Sequence, residues 1–178
     1  MNIFYLDHDV KRCAELHVDR HCVKMILEYA QLLCTAHRMI DGDLYIGRTQ
    51  TGRKAKRWKH PDDTLESVLY KATHVNHPSA VWARASTDNY VWLYNLWLNL
   101  CEEYTYRYGK VHASYVKLND ILATPPKKLS SDKFTQPTPA MPDDCKRECS
   151  IESYQYYYKN YKQHLAKWTK REVPTFMI

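Results

Sequence analysis

His17-Val18-Asp19-Arg20-His21-Cys22-Val23-Lys24-Met25-Ile26-Leu27-Glu28-Tyr29-Ala30-Gln31-Leu32-Leu33-Cys34-Thr35-Ala36 is the stretch on which the reading of this chain turns. On a helical wheel of about 100° per residue, His21, Lys24, Glu28 and Gln31 fall within about 40° of His17. Between Cys22 and Ala36 the polar side chains, apart from the Tyr29 hydroxyl, are Lys24, Glu28, Gln31 and Thr35, and all four share that face. Every other direction carries Cys, Val, Met, Ile, Leu, Tyr or Ala. A surface helix normally has an apolar stripe of little more than about 100°, with charge over the rest. Here the proportions are inverted, which predicts a helix surrounded by protein on most sides with ionisable groups gathered in one slot. Burying an unpaired ion costs several kcal/mol, so a polar stripe in such a setting points to chemistry.

Three plainer explanations compete with catalysis. The stripe can face solvent along one edge of a bundle. It can be a structural ion pair, although Lys24 preceding Glu28 is the weaker order and contributes only a few tenths of a kcal/mol. It can also be a metal site, because His17 and His21 at i and i+4 reach one ion, with His8, His74 or His77 as a third ligand. The nearby Lys24 cation disfavours that third option.

Outward from this stretch, Asp7 or Asp9 offers an N-cap oxygen for a helix from Val10 to about Ile40, ending at Asp41-Gly42. Ile3 to Leu6 suits a short strand. Asp43 to His60 alternates around Thr51-Gly52, as a loop or small hairpin does. Further helices are predicted from Asp62 or Asp63 to about Ala72, from Pro78 to about Arg84, from Thr87 or Asp88 to Gly109, and from Ala113 to Leu122. Five prolines between Thr124 and Pro142 exclude regular helix there and predict an extended arm over the surface. Ser150 caps a last helix to about Trp168, whose Tyr154, Tyr157, Tyr158, Tyr161 and Leu165 recur at core-facing spacing, with hydroxyls expected to reach the surface. The expected fold is mainly α: a compact bundle of about five helices in one domain covering residues 1–178, with a short N-terminal strand, a possible hairpin and a Pro-rich irregular arm.

Bulk properties narrow the classes. The 178 residues suit one domain. No apolar run approaches the roughly 20 residues needed to span a bilayer, and the short run before Asp7 does not suit a signal peptide. The six cysteines then read as reduced thiols, and Cys145 with Cys149 lacks the second pair that a structural zinc site would need. Net charge is +6, and Arg48, Arg53, Lys54, Lys56, Arg57 and Lys59 lie between Asp43 and Asp62 with no acid among them. Such a patch binds a polyanion by counterion release, or is simply a solvated basic loop. A second constellation, Lys71 to Ser79, gathers His74 and His77 before a short helix whose first amides suit an anion, with Arg84 able to close on it. Ordinary capping by His77 or Ser79 explains the same residues equally well. No cofactor is expected.

Met1 to Asp7 (Met-Asn-Ile-Phe-Tyr-Leu-Asp), His17 to His21 with Lys24 to Glu28, and His77-Pro78-Ser79-Ala80-Val81-Trp82-Ala83-Arg84 resemble, over the full length, a group of small phage-encoded proteins. More distantly, the N-terminus through the Tyr90 to Gly109 region is similar to pyrimidine-dimer DNA glycosylases of the endonuclease V type. That resemblance implies a helical DNA-repair enzyme acting in the host cytoplasm, in which an N-terminal amine attacks deoxyribose and an early helix supplies a His and a catalytic Glu. Ala14 to His17 corresponds to the segment with the His, and Glu28 is the nearest downstream acid on the same face. The chain departs from the pattern at its start, Met1-Asn2 in place of a processed Thr. In the best ungapped register the family's Glu falls on Lys24.

Two functions follow as expectations. One is a DNA N-glycosylase, with or without AP-lyase activity, acting on a damaged or modified pyrimidine. Lys24, desolvated among apolar neighbours and so lowered in pKa, would be its nucleophile, with the Met1 α-amine as the competing candidate; Glu28 would stabilise the sugar cation or move protons, and His17 and His21 would act as acids or phosphate ligands. His74, His77, Arg84 and the basic residues Arg53, Lys54, Lys56 and Arg57 would hold the strand. The other is a nucleotide-metabolism or base-modification enzyme that binds a nucleotide phosphate and uses the histidine pair, with or without a metal. A non-enzymatic nucleic-acid-binding protein would explain the patch but not the stripe.

Overall fold

The computed structural model describes residues 1–178 and is mainly helical, with one two-stranded antiparallel hairpin. Helices α1 (Val10–Leu16) and α2 (Asp19–Asp41) are followed by β1 (Asp43–Arg48) and β2 (Lys54–Lys59). Then come α3 (Asp63–Val68), α4 (Pro78–Ala83), α5 (Thr87–Tyr108), α6 (Ala113–Leu122) and α7 (Ser150–Tyr161). The helix α5 packs against both α1 and α2, and most of the buried apolar side chains form one core between them. No helix is long and apolar enough to cross a membrane.

Four local expectations are corrected. Ile3 to Leu6 is not a strand: it runs as irregular chain through the core, every residue buried. Its polar groups are satisfied by other elements. Phe4 N–H donates to the Tyr29 hydroxyl at 3.1 Å, Phe4 O accepts from Cys13 Sγ, and Leu6 O accepts from Gln155 Nε2 at 3.0 Å. The single long helix is broken at His17-Val18, where both residues adopt extended backbone. Arg107 of α5 fills the break, donating to the carbonyls of Glu15 and His17 at 2.9 Å each, and Trp168 Nε1 donates to Leu16 O. Asp19 N–H leaves toward Lys167 O at 2.8 Å. The helix is therefore interrupted by distant partners that take its terminal carbonyls.

The other two corrections concern helix ends. The helix α3 stops at Val68 and α7 at Tyr161, each short of the predicted end. Arg38 explains the first: its guanidinium donates to the carbonyls of Trp58, Glu66, Leu69 and Tyr70 and to the Glu66 carboxylate at 2.6 Å. Those carbonyls bind arginine in place of a further helical turn. The Pro-rich segment is an irregular arm, as expected, tied down by Thr87 N–H to Ser130 O, Trp82 Nε1 to Thr135 O and the Lys127 and Lys128 amides to Asp41.

The basic stretch forms the hairpin, with Asp43 opposite Lys59 and Arg48 opposite Lys54, and Gly52 at φ +79° makes its turn. Leu44, Tyr45 and Ile46 remain exposed on it. The ribbon therefore stands off the core.

Candidate active site at the chain terminus

The pinned N-terminal segment fixes the position of the Met1 amine. Free termini normally fray, but here Ile3 to Leu6 are in the core and leave the first residue little freedom. The amine lies 3.5 Å from Glu28 Oε2, and Lys24 Nζ lies 3.1 Å from Glu28 Oε1 on the other side. One carboxylate thus stands between two amines. The Glu28 side chain keeps 14% of its exposure and Lys24 keeps 62%, so the lysine is largely in water and is not desolvated among apolar neighbours. That corrects the basis on which Lys24 was a candidate nucleophile. Val23 and Leu27 flank it and are exposed, so the first turns of α2 present one face to solvent. Only the later turns, Leu32 to Arg38, are wholly enclosed.

The polar stripe of α2 is a seam against the segment that follows α3. The Thr35 hydroxyl donates to Thr73 O and accepts from Thr73 N–H at 3.2 Å. This contact brings the 73–77 turn alongside Glu28 and Met1. His74 sits there with φ +49°, a left-handed backbone uncommon outside glycine, with its Nδ1 2.8 Å from the Thr73 hydroxyl. His77 caps α4 through Ser79 N–H to Nδ1 at 3.1 Å. Burial, the charge of the Met1 amine and His74 together push the His77 pKa down, and Glu28 pulls it up. Met1, Glu28, Lys24, His74 and His77 therefore share one electrostatic neighbourhood, although the two segments are far apart in sequence. The Met1 and Glu28 side chains keep only 4% and 14% of their exposure, so Lys24 is the member of this group that stands in water.

The histidine pair belongs elsewhere. His17 is fully buried with both ring nitrogens engaged, Nδ1 with Cys13 O at 2.7 Å and Nε2 with the Tyr29 hydroxyl at 2.8 Å. His21 stacks on Phe4 at 4.1 Å between centroids and bonds the Tyr158 hydroxyl at 2.7 Å. Burial lowers the His17 pKa to about 4 and that of His21 to about 3. Both are neutral core residues at pH 7, and neither faces the amine site as an acid, phosphate ligand or metal ligand. The tyrosines of the last helix are corrected in part: Tyr154 and Tyr158 turn their hydroxyls inward to Thr138 O and His21, whereas Tyr161 keeps its hydroxyl at the surface on Asp144.

Arg84 closes α4 at its other end, half-buried, and its side chain makes no hydrogen bond or ion pair; its Nη1 is enclosed without a partner. Burial lowers its pKa, and no hydrogen bond joins its guanidinium to His74 or His77. Arg53, Lys54 and Lys56 are exposed on the hairpin, with Arg57 partly covered. The hairpin leaves the C-terminal end of α2, so about 20 Å of helix separates it from Glu28. All six cysteines are free thiols. Sequence reasoning missed one cluster: His37, Asp41 and His60, all buried, with ligand atoms within 4.8 Å of one another. The His37–Asp41 spacing of i, i+4 was its only local signal. No protein family, curated protein or solved structure matches this chain.

Proposed function

We propose that the chain is a DNA N-glycosylase with associated lyase activity on a damaged or modified pyrimidine, and that the Met1 α-amine is its nucleophile. The observation that carries this reading is the immobilised amine, 3.5 Å from a carboxylate that is itself mostly buried. An amine held in place and oriented by an acid is the arrangement imine chemistry needs.

The proposed steps are these. Glu28 takes a proton from the ammonium, and the freed nitrogen lone pair attacks C1′. The C1′–N bond breaks and the base leaves with the electron pair, taking up a proton. Opening of the sugar breaks C1′–O4′, O4′ takes a proton that Glu28 is placed to return, and the nitrogen becomes a protonated imine. Loss of a C2′ proton then expels the 3′ phosphate. Lys24 pairs with Glu28 from the solvent side, and His77, its pKa pushed down by burial and by the amine, is available as a proton acceptor.

The exposed cations of the hairpin suit a polymer. With one phosphate per about 3.4 Å of strand, the hairpin cations would meet the backbone about six nucleotides from the target, positioning the strand without reading it. Borohydride reduction on DNA with a dimer or abasic site tests the reading. We expect a covalent adduct whose cross-linked peptide begins at Met1 and which persists in Lys24→Ala. Absence of any adduct overturns imine chemistry, and an adduct confined to Lys24 overturns the assignment of Met1.

A further inference from the structure

The cluster His37, Asp41 and His60 has polar atoms with nothing to bond. His37 and His60 are 2% and 3% exposed, and His37 Nδ1 and His60 Nε2 have no hydrogen-bond partner. The protonation of His37 follows from its neighbours. The Tyr90 hydroxyl has one proton and gives it to Leu122 O at 3.0 Å, so in its 2.9 Å contact with His37 Nε2 it must accept. His37 Nε2 therefore carries the ring proton, and Nδ1 presents a bare lone pair. Asp41 lies one turn later on the same face of α2, its two oxygens fixed by the Lys127 and Lys128 amides at 2.8 and 3.0 Å. His60 arrives from the loop after β2, with Nε2 4.0 Å from Asp41 Oδ2.

We infer that His37 Nδ1, Asp41 Oδ2 and His60 Nε2 form a binding site for one divalent transition ion of the zinc type. Two imidazoles and one carboxylate are a zinc donor set, and three protein ligands leave one position open. That position faces a cleft of about 750 Å³ lined by Asp62, Asp120, Lys127 and Lys128, so water can reach it. The outer partners are also in place: Tyr90 orients His37, and two backbone amides orient Asp41. The site lies at the opposite end of α2 from Glu28, about 13–20 Å along the axis at 1.5 Å per residue, and does not depend on the amine chemistry.

Loading requires two adjustments. Metal–ligand bonds of about 2.0–2.2 Å place donors closer together than 4.8 Å, so the three side chains close inward by about 1 Å. In addition, His60 Nδ1 now accepts the Asp62 amide at 3.1 Å, which puts the ring proton on Nε2. Coordination through Nε2 transfers that proton to Nδ1, with no net proton released, and frees the Asp62 amide to water.

The test is equilibrium dialysis of the full chain, stripped with chelator, against Zn²⁺ and Co²⁺, together with hydrogen exchange. We expect one equivalent of metal in the wild type and in Cys145→Ser/Cys149→Ser. His37→Ala and His60→Ala should bind more than about 100-fold more weakly, beyond what loss of an outer partner causes. His60→Gln, a loop substitution, serves if His37→Ala fails to fold. Exchange of the Asp62 amide should accelerate on loading. No stoichiometric metal in the wild type, or undiminished affinity in the His60 variants, overturns the site. Unchanged Asp62 exchange in loaded protein overturns His60 Nε2 as a ligand.

Discussion

Two sets of polar residues meet near the start of α2, and they differ in what their polar atoms have left to bond. His17 and His21 are buried and bonded to Cys13 O, Tyr29 and Tyr158, with His21 stacked on Phe4. Met1, Glu28 and Lys24 form a looser set of ion pairs at 3.5 and 3.1 Å, with Lys24 in water, beside a strained turn. On a helical wheel the two sets look alike. A buried polar group whose bonds are all internal contributes to the fold, whereas one with unused bonding capacity toward an opening can act on something else.

That distinction can be broken most sharply at Glu28. Glu28→Gln keeps size and removes the proton acceptor, so adduct formation should fall by about 10²–10⁴-fold with the fold intact. An unchanged trapping rate would place Glu28 with the structural set. The histidines should instead report through stability and pH. Their folded pKa values lie below the unfolded value of about 6.5, so below that pH the unfolded chain binds protons that the folded chain does not. Stability should therefore be full above about pH 6.5 and decline as pH falls toward 4, by on the order of 3 kcal/mol for His17. Urea titrations between pH 7 and 4 measure the slope, and His17→Gln should flatten it.

Smaller effects sharpen the same contrast. His21→Ala leaves the Tyr158 hydroxyl without its buried partner and should cost about 1–3 kcal/mol in denaturant unfolding, with trapping by the folded fraction unchanged. Lys24→Ala removes a largely exposed partner of Glu28 and should change stability by only a few tenths of a kcal/mol. A large loss of trapping in Lys24→Ala would return the nucleophile to the lysine.

The sequence made the helices legible where periodicity and caps agree. Asp62 and Gly109 cap α3 and α5 where side chain and backbone freedom predict, and Ser86, just before the expected start at Thr87 or Asp88, is the N-cap of α5. The break at His17-Val18 was not legible, because no glycine or proline marks it and its causes, Arg107, Lys167 and Trp168, lie far along the chain. The wheel carried His17 across that break, and so the stripe lost its first member. Glu28 and His77 were legible by residue type. Their convergence with Met1 was not, since it depends on the Thr35–Thr73 contact and on a core-threaded N-terminus that reads locally as a strand.

The central claim is that a fixed α-amine does the chemistry. Borohydride trapping of the chain with its N-terminus selectively acetylated, compared with the unmodified chain on the same abasic DNA, tests it most directly. The account predicts that acetylation abolishes the adduct while helical content is retained. Equal adduct from the acetylated protein would contradict it.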